Sequence, residues 1–458
     1  MNIVIVGLGK VGQLLTQYLS DEGHNLVVID HNDQKVENFV NQFDVLGICG
    51  NGANYHVLEE ANVQDADIVI AVTSSDELNI LSCLMAKQIG AKHLIARVRN
   101  PDYSAQKDVF INQLGFAMII NPELEAAKDI RRTLMFSSAI RIDPFAKGKA
   151  EMIELRITEK NRLCHTSLNE LNQLTRAHIL IAAMRRQEEV IIPNGEDVFE
   201  VNDHIHVIGT HQDLIRFCID TGFTTKSLKH VMIIGGSKIA YYLAQQLSTF
   251  GIHTKIIEQN HQRCIELSQQ LPEATIIEGD GSNEDLLIEE ELPHHDAMVC
   301  LTGLDEENIV LGLVAKQIGV QKAIAKVNHR SLGNSIIDQL GIDSIVDPKK
   351  IIASHIITYV RIKSNNGRTS SLKTLYKVIN EKVEAVEFEI HARTPHLNES
   401  LSVMPIRRNL LIGGIIRHGK LIIPRGNDTF KAGDRVIVVA NQVPLKDISD
   451  LFEEDRHE

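Results

Sequence analysis

Gly7, Gly9 and Gly12 stand in the spacing Gly-x-Gly-x-x-Gly, directly after four β-branched residues, Ile3-Val4-Ile5-Val6. A buried strand is the expected form of that apolar run, and the amphipathic stretch from Val11 to Leu19 is the expected helix. Each glycine then has a separate task. Gly7 turns the chain off the strand, Gly9 lets a pyrophosphate approach the backbone, and Gly12 lets helix and strand come close. The helix N-terminus offers unpaired N–H groups and the positive end of its dipole to phosphate. A sharp turn without a ligand would use the same glycines, so context decides. A second strand, Leu26-Val27-Val28-Ile29, ends in Asp30, 23 residues past Gly7 (30 minus 7), near the usual separation of about 20. A carboxylate there accepts both ribose hydroxyls of an adenosine and repels a 2′-phosphate. These residues predict a bound adenine nucleotide, with NADP disfavoured.

The elements that must position these groups alternate along the chain. A polar helix is expected over residues 32–43. A third strand, Val45 to Ile48, leads into Gly50-Asn51-Gly52, which reads as a left-handed turn near the adenine or as a plain turn. The fourth strand, Ile68 to Val72, ends at Thr73-Ser74-Ser75-Asp76-Glu77, before an amphipathic helix to Gly90. Leu94 to Val98 and Ala117 to Ile120 are the fifth and sixth strands, and a helical pattern runs from Pro122 to about Ile140. Such alternation builds a parallel sheet covered by helices, whose ligands bind beyond the carboxyl ends of the strands. Gly7, Asp30, Gly50, Thr73 and Arg97 all fall at such ends. After Asp143-Pro144 the texture becomes that of a small α+β unit, with strands at Ile153–Ile157, His178–Met184, Glu189–Ile192 and His204–Ile208.

The chain then repeats itself. Ala86-Lys87-Gln88-Ile89-Gly90 recurs as Ala315-Lys316-Gln317-Ile318-Gly319, an offset of 229 (315 minus 86), and Gly50-Asn51-Gly52 recurs as Gly279-Asp280-Gly281 at the same offset. Thr73 aligns with Thr302, Arg97 with Lys326, and Gln113-Leu114-Gly115 with Gln339-Leu340-Gly341. Ile191-Ile192-Pro193 recurs as Ile422-Ile423-Pro424. The fold class is therefore α/β: two tandem doubly wound Rossmann-like domains, each followed by a small α+β domain. The domains are expected over 1–140, 141–225, 226–365 and 366–458, with a charged, frayed tail at the end. The second glycine loop has drifted to Gly235-Gly236-Ser237-Lys238-Ile239-Ala240, and Glu258 stands where Asp30 stands. A nucleotide still fits there, although Ser237 intrudes on the pyrophosphate path. An empty structural copy is the other reading.

Other candidate groups have plainer alternatives. Thr73 and Ser74 would line the crevice, or Ser74-x-x-Glu77 would simply form a capping box. Asp76, Glu77 and Asn79 read as solvated first-turn residues. Arg97 ends an otherwise apolar strand, where a cation would meet nucleotide phosphate or a carboxylate, or form an interface salt bridge. His294-His295-Asp296 suggests a metal only weakly, and a solvated loop explains it. No His-Glu-x-x-His, Gly-x-Ser-x-Gly or Walker loop is present, and the small domains lack a repeated His, Cys or Lys in a plausible pocket. An NAD-dependent oxidoreductase is therefore disfavoured. A ligand-free scaffold is disfavoured by the intact first loop and Asp30.

Composition narrows the class. The 458 residues are 43% hydrophobic and 23% charged, with a formal charge of −13, which argues against a nucleic-acid partner. No apolar run approaches the ~18 residues that suggest a membrane span, and the N-terminus reads as a strand rather than a signal peptide. Six scattered cysteines without Cys-x-x-Cys spacing read as thiols in a reducing cytosol.

Gly7-Leu8-Gly9-Lys10-Val11-Gly12, Ala71-Val72-Thr73-Ser74-Ser75-Asp76-Glu77, Ile95-Ala96-Arg97-Val98-Arg99-Asn100-Pro101-Asp102-Tyr103 and the duplication together resemble the RCK/KTN potassium-transport regulators over essentially the whole chain. The resemblance implies a cytoplasmic protein, peripheral on the inner membrane face. It also implies a homo-oligomeric ring, a tetramer, beneath a Trk-type membrane potassium channel subunit. It implies NAD(H), with ATP or ADP as alternatives, on Gly7, Leu8, Gly9, Lys10, Val11, Gly12, Asp30, Thr73, Ser74 and Arg97. In the second half the contacts would fall on Gly235, Gly236, Ser237, Lys238, Ile239 and Glu258.

Overall fold

Strand alternation and helix periodicity resolve into four sheets in the computed structural model of the chain, which describes residues 1–187, 189–223, 227–328, 341–364, 370–378, 382–441, 443 and 445–453. Gln339 and Leu340 of the repeat, the expected boundaries near 225 and 365, and the last five residues lie outside the described residues.

The first sheet contains β1 (Asn2–Val6), β2 (Asn25–Asp30), β3 (Leu46–Cys49), β4 (Ile68–Ala71), β5 (His93–Arg97) and β6 (Met118–Ile120). Its order is β3-β2-β1-β4-β5-β6, and every pair is parallel. The order reverses between β1 and β4, which is where a doubly wound sheet opens a crevice. Strands β1 and β4 are buried along almost their whole length, as a sheet covered on both faces requires.

An antiparallel sheet follows, built from β7 (Arg141–Phe145), β8 (Ala150–Arg156), β9 (Ile179–Arg186), β10 (Glu189–Ile191) and β11 (His204–Gly209) in the order β10-β9-β11-β8-β7. The helix His211–Thr221 follows it. β7 runs through Asp143-Pro144, read above as a break. It is tolerated because β7 is an edge strand, where proline's missing N–H leaves no gap in a ladder.

The second half repeats the plan. β12 (His230–Ile234), β13 (His253–Glu258), β14 (Thr275–Glu278), β15 (Ala297–Cys300), β16 (Lys322–Lys326) and β17 (Ser344–Val346) form a parallel sheet in the order β14-β13-β12-β15-β16-β17. β18 (Ser370–Val378), β19 (Val383–Ile390), β20 (Leu410–Arg417), β21 (Lys420–Ile422) and β22 (Arg435–Asn441) form the second antiparallel sheet. One face of each antiparallel sheet enters a shared core that joins Phe145, Met152 and Ile208 to Val383, Ile437 and Val439. Burying side chains of this size contributes about 1.5–3 kcal/mol each.

Compactness divides the chain differently from the repeat. One unit is Met1–Ala127 with Asp347–Val360; the other is Lys128–Val346 with Arg361–Glu458. The helix Pro122–Met135 begins in the first unit and ends in the second, and the helix Pro348–Ser364 does the same. The first helix stops at Met135, short of the expected Ile140. Beyond it the chain turns, with the Ala139 amide on the Phe136 carbonyl, and Ile140 donates to the Glu154 carbonyl of β8. Pairing with the sheet therefore ends the helix.

Candidate nucleotide-binding crevice

β1 delivers Gly7 with a φ of 102°, a conformation only glycine adopts without strain. Any Cβ there would press on Thr73 at 2.9 Å, and a Cβ on Gly12 would collide with the Gly7 carbonyl. These two glycines are thus steric necessities of the turn. Gly9 differs: nothing lies within 4 Å of the position its Cβ would take. It is the N-cap of the helix Lys10–Asp21 and supplies no side-chain cap, so the N-terminal amides face an open approach. Lys10 is exposed beside it, while Leu8 and Val11 point into the core.

Asp30 ends β2 and is only 7% exposed. Its Oδ2 accepts the Leu8 amide at 2.7 Å and its Oδ1 accepts the Asn32 amide at 3.0 Å. An ionised carboxylate offers about four acceptor positions; with His31 Nδ1 also 3.2 Å from Oδ1, capacity for a ribose hydroxyl remains, chiefly on Oδ2. The second half reproduces the geometry with a longer side chain. Glu258 Oε2 accepts the Gly236 amide at 2.6 Å and Oε1 accepts the Asn260 amide at 2.7 Å. The second loop is nevertheless shaped differently. Gly235 keeps a φ of 92°, but Ala240 carries a real Cβ at the position where one on Gly12 would clash. Ser237 caps its own helix, accepting the Ala240 amide at 3.4 Å. Lys238 is exposed and Ile239 buried.

Past β4, Thr73 is held by a side chain that sequence reasoning placed in solvent. Asn79 is fully buried. Its Oδ1 accepts the Thr73 amide at 2.8 Å and the Thr73 hydroxyl at 2.7 Å. Its Nδ2 donates to the carbonyls of Thr73 (3.3 Å) and Arg97 (2.9 Å). Asp76, also buried, accepts the amides of Arg99 (2.8 Å) and Asn100 (2.7 Å). Only Glu77 of that trio is exposed. The missed signal was the repeat itself, since Asp305 and Asn308 stand 229 residues on (305 minus 76 and 308 minus 79). Asn308 repeats the bonds, accepting the Thr302 amide at 2.8 Å and donating to the Lys326 carbonyl at 3.0 Å.

Two further expectations are corrected. The helix cap is Ser75, whose hydroxyl accepts the Leu78 amide at 3.1 Å; Ser74 is exposed ahead of it. Ser74 stands one residue too far from the helix start to reach an unpaired amide. Gly50 and Gly52 do not adopt positive φ. A Cβ on Gly50 would meet Val57, and one on Gly52 would collide with Val6, so close approach explains them rather than a left-handed turn.

Arg97 closes β5. Its guanidinium donates to the Thr73 carbonyl at 3.2 Å, and its buried Nε has no partner. Burial, reinforced by Arg99, lowers its pKa, with Glu123 and Asp76 opposing. Arg99 pairs with Glu123 at 2.6 Å. The partly used Asp30 and Arg97 and the open helix terminus at Gly9 suit a ligand carrying a ribose diol and phosphate. His295 donates to the Glu291 carbonyl and Asp296 accepts the amides of Lys229 and His230; no metal-holding group of His, Cys, Asp or Glu occurs among the described residues.

The TrkA-N domain family matches residues 3–122 and 231–348, and the TrkA-C domain family matches 152–218 and 385–453. The chain is 32% identical over 452 residues to the Trk system potassium uptake protein TrkA homolog of Archaeoglobus fulgidus, covering 99% of this chain and all of that one. It is 26% identical over 458 residues to the Trk system potassium uptake protein TrkA of Vibrio alginolyticus, covering 99% of each. Among solved structures it resembles the GsuK channel with a TM-score of 0.63 at 16% identity, over 96% of this chain and 76% of that one. The GsuK channel bound to NAD gives 0.62 with the same coverage. At this identity the two likenesses establish the fold alone. The named relatives are potassium uptake proteins, not enzymes, which sets aside the oxidoreductase reading. With both domain families matched in tandem and a relative of this identity aligned over nearly its whole length, the chain belongs to the TrkA family of Trk-system potassium uptake proteins.

Proposed function

We propose that the chain is the nucleotide-sensing regulatory subunit of a Trk-type potassium uptake system. The observation that carries this reading is the crevice where Asp30 holds the Leu8 amide beside the uncapped helix terminus at Gly9. NAD(H) is the proposed ligand, with ATP and ADP competing for the same places. In the first half the contacts are Gly7 to Gly12, Asp30, Thr73, Ser74 and Arg97; in the second, Gly235 to Ile239 and Glu258. The presence of an NAD-bound channel among proteins of this fold supports the choice.

The subunit works at the cytoplasmic face of the membrane, as a homo-oligomeric ring of four copies against a membrane potassium channel subunit. No helix among the described residues is long and apolar enough to cross a membrane; the proposed attachment is through that partner. A nucleotide then changes gating only through different affinities for two ring conformations. The four-domain division at 1–140, 141–225, 226–365 and 366–458 belongs to the same proposal. Reconstitution with the channel subunit tests it: potassium flux should change on adding nucleotide and should not change with the Asp30→Ala, Glu258→Ala double variant. Equal flux responses in both would overturn the proposal.

A further inference from the structure

Lys322 opens β16 and is 1% exposed. Its Nζ donates to the Ser137 carbonyl at 3.2 Å and to the Ala139 carbonyl. Both carbonyls lie just past the helix Pro122–Met135, in the segment that leads into β7. On the adjacent strand β17, Ser344 donates its hydroxyl to the carbonyl of Ile140, the residue after Ala139, at 2.7 Å. Residues 137–140 of the first repeat are therefore gripped by two parallel strands of the second. A buried ammonium is costly unless its N–H groups find acceptors, and these carbonyls are acceptors that an apolar side chain would leave without that donor. Burial pushes the Lys322 pKa down to about 8, with Asp343 opposing and Lys316 reinforcing.

The other end of β16 reaches the second crevice. Lys326 Nζ donates to the Thr302 carbonyl at 2.5 Å, and Asn308 binds both residues. Four residues of strand, about 13 Å, thus separate the crevice from the gripped segment. The first half repeats the plan with other chemistry. Arg97 holds the Thr73 carbonyl at one end of β5, and at the other His93, aligned with Lys322 (322 minus 93 is 229), meets Tyr359 of the second repeat's helix edge-on at 6.0 Å.

We infer that Lys322 is a positioning residue that latches residues 137–140 to β16, so that a nucleotide in the second crevice changes the mobility of the entry to the first antiparallel sheet. The coupling rests on the nucleotide reading of that crevice; the latch does not. Hydrogen exchange on the full chain, in an Asp30→Ala background that leaves the second crevice, separates the two. Saturating ADP should slow exchange over residues 137–145 at least about threefold. With Lys322→Met added, calorimetry should show unchanged ADP affinity while the exchange response disappears. A response that persists in Lys322→Met, or bound ADP without any response in the parent, would overturn the coupling. Absence of ADP binding would instead count against the nucleotide reading. The latch is then judged without nucleotide: exchange over 137–145 should rise about tenfold in Lys322→Met, and no rise overturns it. Should that variant fail to fold, Ser344→Ala removes the Ile140 contact and takes the same measurements.

Discussion

The Asp30 carboxylate accepts the Leu8 amide at 2.7 Å, tying the end of one strand to the glycine turn of its neighbour. The same side chain therefore shapes the turn and keeps acceptor positions for a ligand. Glu258 and Gly236 repeat the relationship at 2.6 Å, although the two loops differ in sequence. The geometry of the carboxylate has outlasted the glycine pattern.

Asn79→Ala should destabilise the first half by roughly 2–4 kcal/mol, because it strips a hydrogen-bond partner from the Thr73 amide and from two carbonyls in a buried place. Chemical denaturation measures this. Asn308→Ala should do the same to the second half. A loss below about 0.5 kcal/mol for either would show that water replaces the amide without cost.

Arg97→Ala tests the phosphate reading of the first crevice. The guanidinium holds the Thr73 carbonyl, and in the proposed nucleotide complex it would meet the additional charge of ATP. Its removal should weaken ATP about tenfold, the scale of one charge-assisted hydrogen bond, and ADP by less. Unchanged affinities for both would remove Arg97 from the sensor.

The first antiparallel sheet carries a pH response. His206 is 2% exposed, with no partner for its Nε2. Burial pushes its pKa down to about 4; Glu154 opposes, while His204, Arg141 and Arg185 add to the effect. The unfolded chain therefore binds the extra proton between about 6.5 and 4. The stability associated with the neutral ring is present above 6.5 and is lost as pH falls through that window, at roughly 1.4 kcal/mol per pH unit for one proton. Asp143, raised to about 6 chiefly by burial, titrates in the opposite sense between about 3.8 and 6. The measurement is accordingly the difference between the parent and His206→Gln in thermal unfolding from pH 7 to pH 5. The parent should lose more stability than the variant; parallel curves would contradict the assignment.

Much of this was legible in the sequence because it depends on local pattern. Period-two and unbroken apolar runs marked the strands, and Gly7, Gly12 and Asp30 marked the crevice through backbone needs that few residues satisfy. The sequence reads Asn79 and Asp76 as solvated because their polar character and first-turn position suit solvent equally well; only their hydrogen-bond partners at the end of the next strand, the Arg97 carbonyl and the Arg99 and Asn100 amides, reveal their burial. β7 was hidden by Pro144, whose acceptability depends on lying at a sheet edge. The division of the two long helices between compact units leaves no local mark, since their periodicity is the same whichever domain covers them.

The most direct test is calorimetric titration of the full chain with NAD, NADH, ADP and ATP, beside Asp30→Ala. Saturable binding by at least one of them, with one binding step weakened at least about tenfold in the variant, is the expected result; that factor is about 1.4 kcal/mol. No binding by any of the four, or binding indifferent to Asp30→Ala, would contradict a nucleotide sensor in the first crevice.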